Sequence, residues 1–256
     1  MICRDTHRDK EYFNALIKKE KKIFRESEKR IIDGKVPETR LQDVYYLNTR
    51  DHIDLLIAYY SLGLSSKELS EKLILVIDLM VQYWNSDRTK VDVRVKGKTK
   101  KLDQYMLEPY EYFLKVLSLA YLLEITDDHF KKLVAIVDRD NVSDKLYETI
   151  IQARIPDRTQ EKDENYSEKH SVILKTYKRL REACNESDKT KAASLIKIFL
   201  EKDFYHKHMV LYNSHKKKLN LYRGYWSFEA AAVAKIYSLD DSDFKDHPYY
   251  PSDLVS

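Results

Sequence analysis

The chain has 256 residues, enough for one large domain or two modest ones with a real core. Only 4 glycines and 5 prolines against 34% charged residues argue for long solvated helices and against a turn-rich β architecture. The 46 basic and 42 acidic residues are interleaved for a net charge of +4, which excludes a polycation that coats nucleic acid.

Phe13, Leu16, Ile17, Phe24 and Ile31 recur at helical spacing and predict one long amphipathic helix from about Asp9 to Ile32. Gly34 and Pro37 punctuate it, with Pro37 suited to the first turn of a second helix through Leu41, Val44, Leu55, Leu56 and Tyr59, closed by Gly63. Ser65 followed by Glu68 forms a capping-box pattern for a third helix, whose stripe runs Leu69, Leu73, Val76, Ile77, Met80 to Tyr83 and Trp84. Val91, Val93 and Val95 then alternate with charges before Gly97, the pattern of a short exposed hairpin near residues 90–100 and the one candidate for strand.

From Leu102 to Ile125 the residues read as a buried helix, entered afresh at Pro109 and central to the core. Thr126 and Asp127 can cap a short helix through Val137, and another is expected from about Asp144 to Ala153, followed by a polar loop from Arg154. Three further helices are predicted near Glu168 to Cys184, Lys189 to Tyr212 and Tyr225 to Tyr237, the last entered at Gly224. The fold class is therefore all-α, a bundle of antiparallel helix hairpins with at most one β-hairpin. Two domains are expected, 1–101 and 102–256, packed as one unit.

Twenty tyrosines against 8 phenylalanines put many hydroxyls on the aromatic surface. Such side chains suit half-buried faces and interfaces, while biased codon usage accounts for the same excess. Cys3 and Cys184 stand far apart, outside any CxxC or Cys/His cluster, so neither a disulfide framework nor a zinc site follows. The N-terminus lacks an apolar signal core, and the most apolar run, Leu114 to Ile125, is too short to span a bilayer and contains Lys115. A cytoplasmic protein without membrane contact is expected.

Chemistry-bearing residues gather near the C-terminus. Phe228, Ala232 and Ile236 share a helical face with Tyr225, and Glu229 borders that stripe as the sole charge between Arg223 and Lys235. Asp240, Asp241, Asp243, Asp246 and Asp253 follow, with Tyr249 and Tyr250 held between Pro248 and Pro251. The prolines keep their neighbours extended, so this acidic segment is either a stiff display of tyrosines for a partner or a strap packed on its own domain. A second feature is basic: Lys90, Arg94, Lys96, Lys98, Lys100 and Lys101 in the hairpin, with Lys216 to Lys218 near Arg223. It supports an alternative reading as a helical nucleic-acid binder through phosphate contacts. His206 and His208 lack the i, i+4 spacing of a metal pair, and His247 beside Asp246 is a dyad by adjacency alone. No HExxH, GxSxG or phosphate-cradling motif is present, so no enzyme, cofactor or metal is expected.

The segment Gly224-Tyr225-Trp226-Ser227-Phe228-Glu229-Ala230-Ala231, leading to His247-Pro248-Tyr249-Tyr250-Pro251, resembles the signature of the PoNi immunity family. Arg4-Asp5, Tyr59-Tyr60-Ser61-Leu62-Gly63 and Tyr83-Trp84 are similar to that family's first domain, and Leu117 to Leu123 to the opening of its second. The resemblance implies a partner: family members protect bacteria from cognate PoNe toxins, DNases delivered by polymorphic secretion systems, through tight stoichiometric binding. A DNase presents a basic, metal-containing cleft, which suits carboxylates and aromatic anchors on an inhibitor. The partner-binding candidates are thus Glu229, Asp240, Asp241, Asp243, Asp246, Tyr249, Tyr250 and Asp253.

Overall fold

A computed structural model describes residues 2–158, 173–205, 212–217 and 221–255. These residues form two compact units, one of Met1–Asn85 with Lys207–Tyr225, the other of Ser86–His206 with Trp226–Ser256. The protein is mainly α-helical with a single two-stranded sheet among the described residues. None of its described helices is long and apolar enough to cross a membrane.

The first unit is built on three helices. In α1 (Lys10–Ile32) the Asp9 side chain accepts from the Tyr12 N–H, and Phe13, Leu16, Ile17, Glu20 and Phe24 form the buried face. In α2 (Glu38–Leu62) the half from Ile53 onward is buried on almost every side because α1 and α3 both pack against it. Gly63 ends it at φ 99°, with the Leu64 N–H returning to the Tyr59 carbonyl. The expected capping box opens α3 (Ser66–Tyr83): Ser65 accepts from the Glu68 N–H, and the Glu68 carboxylate accepts from the Ser65 N–H at 2.9 Å.

Residues 221–225 belong to this unit through specific polar bonds. The Arg223 guanidinium meets the Glu20 carboxylate at 2.9 Å with both side chains nearly out of solvent. Ser61 donates to the Arg223 carbonyl at 2.6 Å, and the Tyr222 hydroxyl donates to Asp5. Arg4 donates to the carbonyls of Tyr60 and Leu64 at 3.0 and 2.9 Å, placing a cation on the orphan carbonyls that close α2.

The second unit opens with a single turn, α4 (Ser86–Thr89), and the hairpin β1 (Lys90–Val95) and β2 (Lys98–Tyr105), paired antiparallel. Lys96 and Gly97 both have positive φ, 49° and 78°, the two-residue loop whose twist matches a hairpin. Here the helix expected from Leu102 gives way to strand, because Leu102 to Tyr105 bury their side chains while pairing back toward Lys90. Helix α5 (Leu107–Leu122) therefore begins later, with Pro109 in its first turn, and is buried along most of its circumference against α6 (Asp127–Asp140), α7 (Lys145–Arg154) and α11 (Phe228–Tyr237).

Of the helix expected near 168–184, residues 168–172 lie outside the described residues, and the remainder is broken into α8 (Ile173–Thr176) and α9 (Lys178–Ala183) around Tyr177. Helix α10 (Lys189–Ile198) runs on as a π-helical stretch, Phe199–Phe204. Most of the polar loop after Arg154, and residues 206–211 with His206 and His208, lie outside the described residues, as does Lys218. The last helix starts at Phe228 rather than Tyr225, because the Ser227 N–H donates to the Tyr249 carbonyl at 2.8 Å and Gly224 sits at φ 119°. Tyr225 consequently does not share a helical face with Glu229.

Tyrosine hydroxyls are a recurring polar element of both interiors. Tyr105 donates to Asp140 at 2.6 Å, Tyr110 to Asp144 at 3.0 Å and Tyr147 to the Tyr110 carbonyl at 2.9 Å. Asp144 also caps α7 through the Leu146 and Tyr147 N–H groups and pairs with Arg181, so one buried carboxylate satisfies several donors.

Candidate functional site

The sequence-derived candidates divide by burial into two sets. Glu229 lies in the first turn of α11 and is 1% exposed. Neither of its carboxylate oxygens meets a hydrogen-bond partner among the described residues; Ser227 and the Glu229 amide are near without reaching bonding geometry. Burial raises its pKa above the ordinary carboxylate range, an effect the Lys115 ammonium opposes.

Tyr250 is also inside, 3% exposed, its ring edge-on to Phe244 at 5.0 Å and its hydroxyl donating to Asp241 at 3.2 Å. Burial, with Asp241 adding to it, pushes the phenol well above its usual range, so it stays a hydrogen-bond donor at any physiological pH. Tyr249 is half-buried, between His247 at 5.1 Å and the rings of Phe204 and Tyr205 at 5.7 and 5.2 Å. Burial lowers the His247 pKa, and its Nδ1 accepts the Tyr249 N–H at 3.3 Å, so no Asp246–His247 bond is formed in the described geometry. The backbone bonds Phe244 N–H to Asp241, Tyr250 N–H to His247 and Leu254 N–H to Pro251, at 2.9 to 3.1 Å, fold the segment into consecutive tight turns.

The remaining carboxylates line the outside of those turns. Asp240, Asp243, Asp246 and Asp253 are exposed, and Asp241 is intermediate. Asp240 accepts the Ser242 N–H at 3.0 Å, which holds its pKa below the ordinary value. Asp240, Asp243 and Asp246 form no ion pair among the described residues. Asp240 and Asp243 border a groove of about 230 Å³ whose opposite wall carries Lys189, Thr190 and Lys197 of α10. The segment thus places exposed carboxylates over a buried aromatic base.

The residues that hold the candidate region together from within are apolar and buried. Trp226 and Phe228 are 7% and 0% exposed, and Ala230 to Ala234 are buried to the last side chain, so the motif's apolar members form core. Cys184 is buried, which raises its thiol pKa to about 11, and Tyr237 donates to its carbonyl at 3.0 Å. Among the described residues no group of three or more His, Cys, Asp or Glu side chains is placed to hold a metal ion.

The model of the PoNe immunity protein (PoNi) N-terminal domain matches residues 4–135, and that of the PoNi C-terminal domain matches residues 142–254. The crystal structure of protein PA2201 from Pseudomonas aeruginosa matches with a TM-score of 0.64 at 15% identity, over 99% of this chain and 89% of that one, a likeness of fold. No protein of curated function matches the sequence.

Proposed function

The chain belongs to the PoNe immunity protein (PoNi) family, both of whose domain models it matches, and from this we propose that it neutralises a cognate PoNe-type DNase by stoichiometric protein–protein binding, without catalysis of its own. The observation that carries the binding reading is the C-terminal turn segment, where Asp240, Asp243, Asp246 and Asp253 stay exposed above buried Phe244, Tyr250 and Leu254. A rigid base lowers the ordering cost of docking, and carboxylates facing a DNase steer encounter with a surface evolved for phosphates. Tyr249, half-exposed beside the acidic row, is the aromatic anchor of this reading.

Glu229 and Tyr250 take a supporting role in this reading: both are buried, so a partner feels them through the shape of the turns. The cytoplasm is the compartment in which a DNase must be stopped. Titrating the purified chain into the nuclease domain encoded beside it, followed by calorimetry and a DNA-cleavage assay, tests the proposal. A one-to-one complex that abolishes cleavage is the expected result; absence of a complex refutes it.

A further inference from the structure

We propose that the β1–β2 hairpin is a second docking element, a cationic ribbon that seats on a carboxylate-bearing surface of the same protein partner. This rests on the binding reading above but uses different residues. The ribbon is firmly rooted: Lys90 bonds the Asp103 carboxylate and the Asp140 carbonyl, Tyr105 bonds Asp140 at 2.6 Å, and the Met106 N–H reaches the Thr89 carbonyl at 2.7 Å. Beyond that root every residue from Arg94 to Lys100 is exposed, and both outer edges of the sheet are unpaired among the described residues.

The charges there are uncompensated. Lys101 is matched by Asp87 and Asp92 at 3.4 and 3.3 Å, whereas Arg94, Lys96, Lys98 and Lys100 have no ion-pair partner among the described residues. Lysines on a free edge do guard against self-association. That purpose requires only a charge or two and leaves the rest unexplained: Val93 lies opposite Lys100 and Val95 opposite Lys98, so one face of the ribbon sets valines beside lysines, with Val95 half exposed.

Phosphate backbones offer nothing to such a valine row, and the exposed stretch from Arg94 to Lys100 carries no aromatic ring for stacking on bases. An apolar strip flanked by carboxylates on a protein matches both features of the face. Together with the acidic turns of the C-terminal segment, a cationic ribbon gives the chain electrostatic complementarity of both signs, which discriminates among partners better than either alone.

The test compares the full-length chain with the Lys96→Glu/Lys98→Glu/Lys100→Glu variant, and with the milder Lys98→Gln/Lys100→Gln variant as a folding control, each against the inactive nuclease domain by surface plasmon resonance at low and high salt. Charge reversal is expected to slow association on the order of 10-fold at low salt, with the gap closing at high salt and the melting temperature preserved. An unchanged on-rate in both variants, while the parent chain still binds, overturns the ribbon and leaves the binding reading standing. Failure of the parent chain to bind overturns both. Salt-sensitive mobility-shift of DNA by the parent, lost on charge reversal without any effect on the nuclease complex, overturns it in favour of nucleic acid.

Discussion

Truncating Tyr250 to alanine separates a packed C-terminal strap from a freely displayed recognition segment. The side chain is 3% exposed, stacked edge-on against Phe244 and bonded to Asp241 at 3.2 Å. Emptying a buried aromatic site costs about 3–5 kcal/mol. At about 2–4 °C per kcal/mol for a chain of this size, the melting temperature should fall by roughly 10 °C. Tyr250→Phe removes only the hydroxyl and should cost about 1 kcal/mol. Asp246→Ala, at an exposed position without an ion pair among the described residues, should stay within about 0.5 kcal/mol of the parent. Thermal melts followed by circular dichroism decide the order. A Tyr250→Ala chain that melts with the parent would refute the packing argument and return this tyrosine to the recognition surface.

Asp243→Lys combined with Asp246→Lys should weaken nuclease binding at least about 10-fold, chiefly through the on-rate, with thermal stability preserved; stopped-flow association checks both. Trp226→Ala should do the reverse, costing about 3 kcal/mol or more in chemical denaturation, because its side chain is 7% exposed. Glu229 makes a signed pH prediction. Its folded pKa is raised by burial, so the folded state holds the proton more tightly and stability declines as pH rises through the window above the ordinary value of 4.5. Glu229→Gln removes that decline: the variant should gain on the parent from acidic toward neutral pH, and a constant difference in denaturation midpoints across that range would contradict it.

Elements with local signals were legible in the sequence. The Ser65/Glu68 capping box, Gly63 as a helix stop and the valine alternation around Gly97 each need only neighbouring residues, and each appears where expected. What was illegible depends on distant partners. Residues 102–105 carry helix-compatible side chains, and only the pairing with β1 makes them strand. The start of α11 is set by a bond from Ser227 to Tyr249, 22 positions away by subtraction, while Tyr222 and Arg223 are fixed by Asp5, Glu20 and Ser61 near the other end of the chain.

The tyrosine excess carried the most information and was the hardest to use. Rings with hydroxyls suggest interfaces, yet Tyr105, Tyr110, Tyr147, Tyr222 and Tyr225 are all nearly inaccessible. Their hydroxyls find Asp140, Asp144, Asp5, a backbone carbonyl and the Ser214/His215 pair, the last two at 2.9 and 3.0 Å. Asp140 and Asp144, which look like surface charge in the sequence, therefore serve the interior, and counting carboxylates says little about which of them can meet a partner. The four exposed aspartates of the C-terminal turns gain their meaning from that contrast. Burial of Glu20, Asp103, Asp140, Asp144 and Glu229 sets those acids apart from the exposed aspartates of the C-terminal turns, a distinction that side-chain type alone does not make.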